Sequence, residues 1–173
     1  DLPILNFEGF VSDDLWLATE SGEQKTNSKN VEMYEPNAGH PLTAGLTGYQ
    51  RANIATQLSH NFGEVGGDAI VIATTDPRKT STQATYYAYE AGTELANGEI
   101  APARRVAHFS TDRGPLTLTA AGEQLIIAAV DWLATEPAAS AYADDIIDLR
   151  QNLGVDVAVV VGGGNFWRGR TGS

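Results

Sequence analysis

Residues 155–161, VDVAVVV, are apolar at every position except Asp156. A strand of this kind has no solvent face. It belongs inside a sheet covered on both sides, which is the signature of a central parallel strand. Just before it, AYADDIIDLRQNLG has helical character and ends at Gly154, a residue that commonly closes helices. The clearest helix lies further upstream. Thr119 is placed to cap AAGEQLIIAAVDWLA, in which Leu125, Ile126, Ala129, Val130 and Leu133 form an apolar stripe at helical spacing. Glu123 follows the cap by four residues, one more than a capping box requires.

Strands are predicted at Leu2–Phe7, Ile70–Thr74, 84–92 and 103–109, from their apolar and β-branched or aromatic content. A short helix is expected where Ser12 precedes DDLWLA, with Asp13 and Asp14 favourably placed in its first turn. TESGEQKTNSKN (19–30) reads as a polar loop, and the Gly- and Pro-rich stretch 35–49 as structured turns. Strands that alternate with helices predict an α/β fold, a three-layer sandwich with a mostly parallel sheet.

A chain of 173 residues fits one domain, and its contents of 42% hydrophobic and 19% charged residues are those of a globular protein. A net charge of -11 argues against a nucleic-acid surface, which needs clustered Lys and Arg. With no cysteine, disulfides, thiolate metal sites and a Cys nucleophile are excluded. No apolar run approaches the ~20 residues of a transmembrane helix, so no membrane insertion is expected. The first residues lack a basic-then-apolar signal pattern, and DLPILNF opens directly as a strand, as in a segment cut from a longer chain.

Five pieces carry a family resemblance: LPILNFEGFVSDDL, GHPLTAGLTG, YYAYEAGTEL, APARRVAHF and LTAAGEQLIIAAVDWL. In this order, over residues 2–134, they resemble the C-terminal half of a ThuA-like domain, related to class I glutamine amidotransferases. The resemblance implies a flavodoxin-like sheet and a setting in secreted or cell-surface, carbohydrate-associated proteins. It does not carry amidotransferase chemistry, because the nucleophilic Cys is missing. A second segment, LGVDVAVVVGGGNFWRGRTGS within 142–173, is similar to the GGGN-x-x-RG region of bacterial UMP kinase. That resemblance implies phosphate contacts from Gly162, Gly163, Gly164, Asn165, Arg168 and Gly169, and a cytoplasmic location if it dominates. A phosphoryl-transfer site needs a second phosphate cradle and charge neutralisation, which this chain does not supply. The chain is therefore expected to divide into a ThuA-like part, 1–137, and a helix–strand–glycine-loop segment, 138–173, packed into the same domain as in a chimera. Val155–Val161 is expected to pair beside Leu2–Phe7 or Ile70–Thr74.

Candidate sites follow from residue chemistry. Gly162–Gly164 can offer unobstructed backbone N–H groups to an anion, assisted by Arg168 and Arg170, or can be a simple tail. Phe166 and Trp167 are expected to pack back onto the domain. His40, in AGHPLTAGL, is expected to bond the backbone of its turn, with a role at a strand end as the alternative. His60 and His108 lack ligand spacing, so no metal site is expected. Glu8, Asp13 and Asp14 could form an acid–base cluster, although first-turn placement already accounts for the aspartates. Tyr86, Tyr87 and Tyr89 alternate along a strand, as a sugar-stacking face or as core with one exposed ring. One of Arg104 and Arg105 is expected to pair with a carboxylate. With no complete catalytic set, the expected function is a non-catalytic structural or interaction module without a cofactor. UMP kinase-like nucleotide or phosphate binding and carbohydrate binding are the alternatives.

Overall fold

The computed structural model describes residues 2–25, 30–54, 59–74, 83–110 and 117–135. Among these are nine strands and one α-helix. The strands are β1 (Ile4–Asn6), β2 (Glu20–Lys25), β3 (Asn30–Met33), β4 (Tyr49–Arg51), β5 (Ser59–Glu64), β6 (Ile70–Thr74), β7 (Gln83–Ala84), β8 (Tyr86–Tyr89) and β9 (Arg105–Ala107). The helix α1 spans Ala120–Ala134. A six-stranded sheet runs in the order β1-β9-β8-β6-β3-β4, and a three-stranded sheet in the order β2-β5-β7.

This architecture overturns the expected three-layer, mostly parallel, flavodoxin-like sandwich. Among the described residues only β1 and β9 pair in parallel. The β8–β9, β6–β8, β3–β6 and β3–β4 pairs are antiparallel, as is all of the small sheet. The reason lies in the connections. Parallel neighbours need a long crossover, usually a helix. Between β8 and β9 the chain instead makes tight turns, with Gly92 and Gly98 at positive φ and a bridge from Glu94 to Ile100.

β6 and β8 are buried on both faces, as their apolar sequences require, but burial on both faces does not depend on strand direction. Ile72, Tyr86, Ala88 and Val106 pack with Leu125, Ala129 and Trp132 of α1 in the larger core. Val71, Tyr87, Tyr89 and Ala107 face the other way, into a core with Leu17, Ala84, Leu95 and Ala101. The larger core alone holds several fully buried large side chains, each worth about 1.5–3 kcal/mol relative to exposure.

The local expectations divide. Thr119 caps α1 by accepting from the Gly122 N–H at 3.3 Å. Gly122 is required for docking, because a Cβ there would run into the Ala52 carbonyl. The helix following Ser12 does not form. Residues Gly9–Val11 make a 3-10 helix with Ser12 at its C-cap, and Trp16 adopts φ 61°, which closes the turn. So short a segment cannot sustain a helix without packing, and one left-handed residue ends it. The polar stretch 19–30 contains β2, recruited as an edge of the small sheet by β5. Val155–Val161, with all of 136–173, lies outside the described residues.

Candidate functional site

The first candidate is the turn that joins β1 to β2. Its backbone is tied at close intervals. Leu15 N–H donates to the Val11 carbonyl at 3.0 Å, Trp16 N–H to Asp13 at 2.9 Å and Leu17 N–H to Ser12 at 2.8 Å. Asn6 anchors the turn from β1, donating through Nδ2 to the Glu8 carbonyl and to Ser12 Oγ, each at 2.9 Å. Leu17 is the apolar peg, fully buried in the smaller core. Of the three carboxylates that the sequence grouped, Glu8 and Asp13 take separate local partners. Glu8 Oε1 accepts from the Phe10 N–H at 3.2 Å and caps the 3-10 helix. Asp13 Oδ1 accepts from Ser21 Oγ at 2.7 Å, and that hydroxyl also accepts from the Asp13 N–H. The Ser21 hydrogen bond holds the Asp13 carboxyl below its ordinary range, with backbone N–H groups adding to the effect. Two aromatics stand out from this turn: Phe10 is 64% exposed and Trp16 50% exposed.

The second candidate surrounds His40. Its ring accepts the Leu42 N–H at Nδ1, 3.2 Å away, and caps the 3-10 helix Pro41–Thr43. That is the turn role expected from sequence. The other face of the imidazole meets the Trp132 ring edge-on, with centroids 5.6 Å apart. Arg104 lies over the same indole at 4.4 Å, donates to the Trp132 carbonyl at 2.6 Å, and pairs through Nε with Glu90 Oε2 at 2.8 Å. Arg104 thus meets the negative end of α1, satisfies a terminal carbonyl and supplies the expected ion pair. Burial lowers the His40 pKa, with Glu90 pulling it up and Arg104 pushing it down. Beside this group is an open groove of about 560 Å³, lined by Pro41, Ala44, Ile127, Ala128 and Trp132. Arg105 is buried and donates to the Leu2 carbonyl at 2.6 Å.

The third polar group is sealed. His60 on β5 and His108 just after β9 are both fully buried and both pack against Phe109, whose ring centroid is 5.9 Å from His60 and 4.1 Å from His108. Asn53 Nδ2 meets His60 Nε2 at 3.0 Å, and the Ser110 N–H donates to His108 Nδ1 at 3.2 Å. Desolvation pushes His60 down to about 4 and His108 down to about 3, so both are neutral at pH 7. Asn61 closes the seam, its Nδ2 donating to the carbonyls of Phe7 (3.0 Å), His108 (3.0 Å) and Ser110 (2.7 Å). His60 Nδ1 and His108 Nε2 find no partner among the described residues. Nor does any group of three or more His, Asp and Glu side chains gather to hold a metal ion among them.

Tyr86, Tyr87 and Tyr89 are all buried, so none of these rings remains for a sugar. Tyr86 OH donates to the Leu125 carbonyl at 3.2 Å, and Tyr89 OH reaches the Leu17 and Gly66 carbonyls at 3.0 Å. The glycine-loop candidates, Gly162, Gly163, Gly164, Asn165, Arg168 and Gly169, together with Arg170, Phe166 and Trp167, lie outside the described residues. Sequence reasoning passed over Asn61, Trp132 and Trp16. Trp132 was within reach, since it follows Leu125 and Ala129 at i+7 and i+3. Asn61 and Trp16 carry no local signal, because their roles come from long-range hydrogen bonds and from a turn conformation. Among the described residues no helix is long and apolar enough to cross a membrane. No protein-family model and no solved structure matches this chain.

Proposed function

We propose that the chain is a non-catalytic structural or interaction module of a secreted or cell-surface protein. One observation carries this reading: the side chains best suited to acid–base work are committed to their own turns. Glu8 caps Phe10, Asp13 is bonded to Ser21, and His40 Nδ1 holds the Leu42 N–H. A general base must keep a lone pair aimed at a substrate proton, and a histidine whose Nδ1 caps a helix has only its other nitrogen left. The buried histidines are neutral and closed to solvent. The resemblance to ThuA-like domains, frequent in large secreted bacterial proteins, supports the setting.

The test is a panel of ester, glycoside and nucleotide substrates, with Glu8→Gln, Asp13→Asn and His40→Ala as controls. The expected result is no turnover above buffer. Turnover of any of them, abolished by one of these changes, overturns the reading.

A further inference from the structure

We propose that the groove along α1 is the docking site of residues 142–153 of the same chain, which return antiparallel to α1 as an amphipathic helix. The inference stands apart from the function proposed above. Its starting point is a face that α1 leaves uncovered. Leu125, Ala129, Trp132 and Leu133 are buried in the larger core, but Ile127 is 58% and Val130 49% exposed. Ile127 also lines the open groove of about 560 Å³, together with Gln124, Trp132 and Thr135 of the same helical stretch and Pro41 and Ala44 of the His40 turn. A mostly apolar groove of this kind takes the ridge of an amphipathic helix, whose anchors recur at i, i+3 or i+4, and i+7.

Chain continuity and sequence pattern name the occupant. The chain leaves α1 at Thr135, itself a wall of the groove, and 136–173 follow outside the described residues. In that sequence Tyr142, Ile146, Leu149 and Leu153 are spaced by four, three and four, a single narrow stripe at helical period. Asp144, Asp148 and Gln151 fall on the opposite side. The apolar run 155–161 suits the groove less well, because a strand without a polar face needs cover on both sides.

Length and linkage agree with this choice. From Gln124 to Thr135 the groove follows α1 over eleven positions, and Tyr142 to Leu153 is again eleven, so as helices the two stretches match at ~16 Å each. Pro137 is a poor residue to continue α1, and the six residues 136–141 make a connection within the roughly 2–8 usual between packed helices. A segment tethered beside its site acts at an effective concentration of about millimolar, above that of a partner in dilute solution. A second copy would bring a further net charge of -11 against a chain already acidic.

The experiment is disulfide trapping in the full chain, which has no cysteine of its own. Ile127→Cys is combined either with Leu149→Cys, which the antiparallel arrangement sets near it, or with Gln151→Cys, two residues on but across the helix. Ile127 is exposed, so the change leaves the core intact. The tethers are nearly equal in length, and only the side of the helix differs. Under mild oxidation the Leu149→Cys pair should close an intramolecular disulfide about tenfold faster or more, because bridging needs Cα atoms within ~7 Å and side chains that face each other. Equal rates for the two pairs, no closure of either, or disulfide-linked dimers in place of the intramolecular bridge would each overturn the proposal. A second measurement avoids cross-linking. Leu149→Asp should lower the melting temperature of the full chain by roughly 3 °C or more, while Gln151→Ala leaves it unchanged. Identical melting of wild type and both variants also overturns it.

Discussion

The β1–β2 turn and the His60–Asn61–His108 seam use similar polar residues for opposite ends. In the turn, Asp13 and Ser21 bond each other in full solvent while Trp16 and Phe10 stand outward. In the seam, Asn61 and two histidines are shut away with Phe109, and their hydrogen bonds join β5 to the chain after β9. The difference is one of solvent access. An exposed hydrogen bond replaces one with water at little gain, whereas a buried donor or acceptor that loses its partner costs its full desolvation. The seam therefore governs stability, and the turn is free to be shaped by what it contacts.

The largest effect is expected from Asn61→Ala. The buried carbonyls of His108 and Ser110 and the part-buried carbonyl of Phe7 lose their donor at once, and at about 1–3 kcal/mol for each orphaned buried group the loss should reach several kcal/mol. Urea denaturation measures it. A loss near that of a surface substitution would mean that water replaces the amide and that the seam is not dry.

Next comes acid. The folded pKa values of His60 and His108 lie near 4 and 3, below the ordinary histidine value of 6.5. Between these values the unfolded chain binds more protons than the folded one, so this stability is complete above pH 6.5 and drains away as pH falls through the folded values. For His60 alone the shift amounts to roughly 3 kcal/mol at the low-pH limit. Denaturation midpoints measured from pH 7 to pH 4 should fall steadily, and a flat profile would show that the histidines are hydrated. Asp13 separates the two regions cleanly. Its carboxyl is depressed from an ordinary value of 3.8, so its contribution is lost only at still lower pH, after the His60 loss is well advanced.

Smaller still is the turn's own strain. Trp16→Gly removes an indole from a left-handed position and should raise stability by about 0.5–1 kcal/mol, net of the extra entropy of glycine in the unfolded chain. Thermal melts of wild type and variant decide the sign. A clear loss would mean that the indole packs more than it strains. The smallest effect is expected from Ser21→Ala, which should leave the melting temperature essentially unchanged while returning the Asp13 carboxyl toward its ordinary value, as followed by side-chain NMR titration.

How far sequence alone reached differs from element to element. Thr119 and the residues after it announced α1 because capping and helical periodicity are local, and local rules suffice for a helix of fifteen residues. The stripe was misplaced only at its flank: Val130 is 49% exposed while Trp132 is buried. The sequence stripe counted the aliphatic Val130 and left out the aromatic that in fact docks. His40 was legible as a turn histidine, since Pro follows it and its ring can cap at once. The outward rings of the β1–β2 turn were not legible, because exposure and φ sign belong to the folded turn and SDDLWLA reads equally well as a capped helix.

By itself the sequence determined the helix and its cap, strands β1, β6, β8 and β9, the exclusion of cysteine chemistry and the acidic surface. Each of these follows from composition or from a pattern within a few residues. Strand direction, sheet order and the fates of individual polar groups were decided only in three dimensions. Tyr86 and Tyr87 need burial on opposite faces whether their neighbours run parallel or antiparallel, and the length and turns of the connections choose between the two. Asn61 is one more polar residue in a polar stretch until β5 brings it against three carbonyls from distant parts of the chain. Hydrogen bonds at such separation leave no periodicity in the sequence, because nothing local selects them.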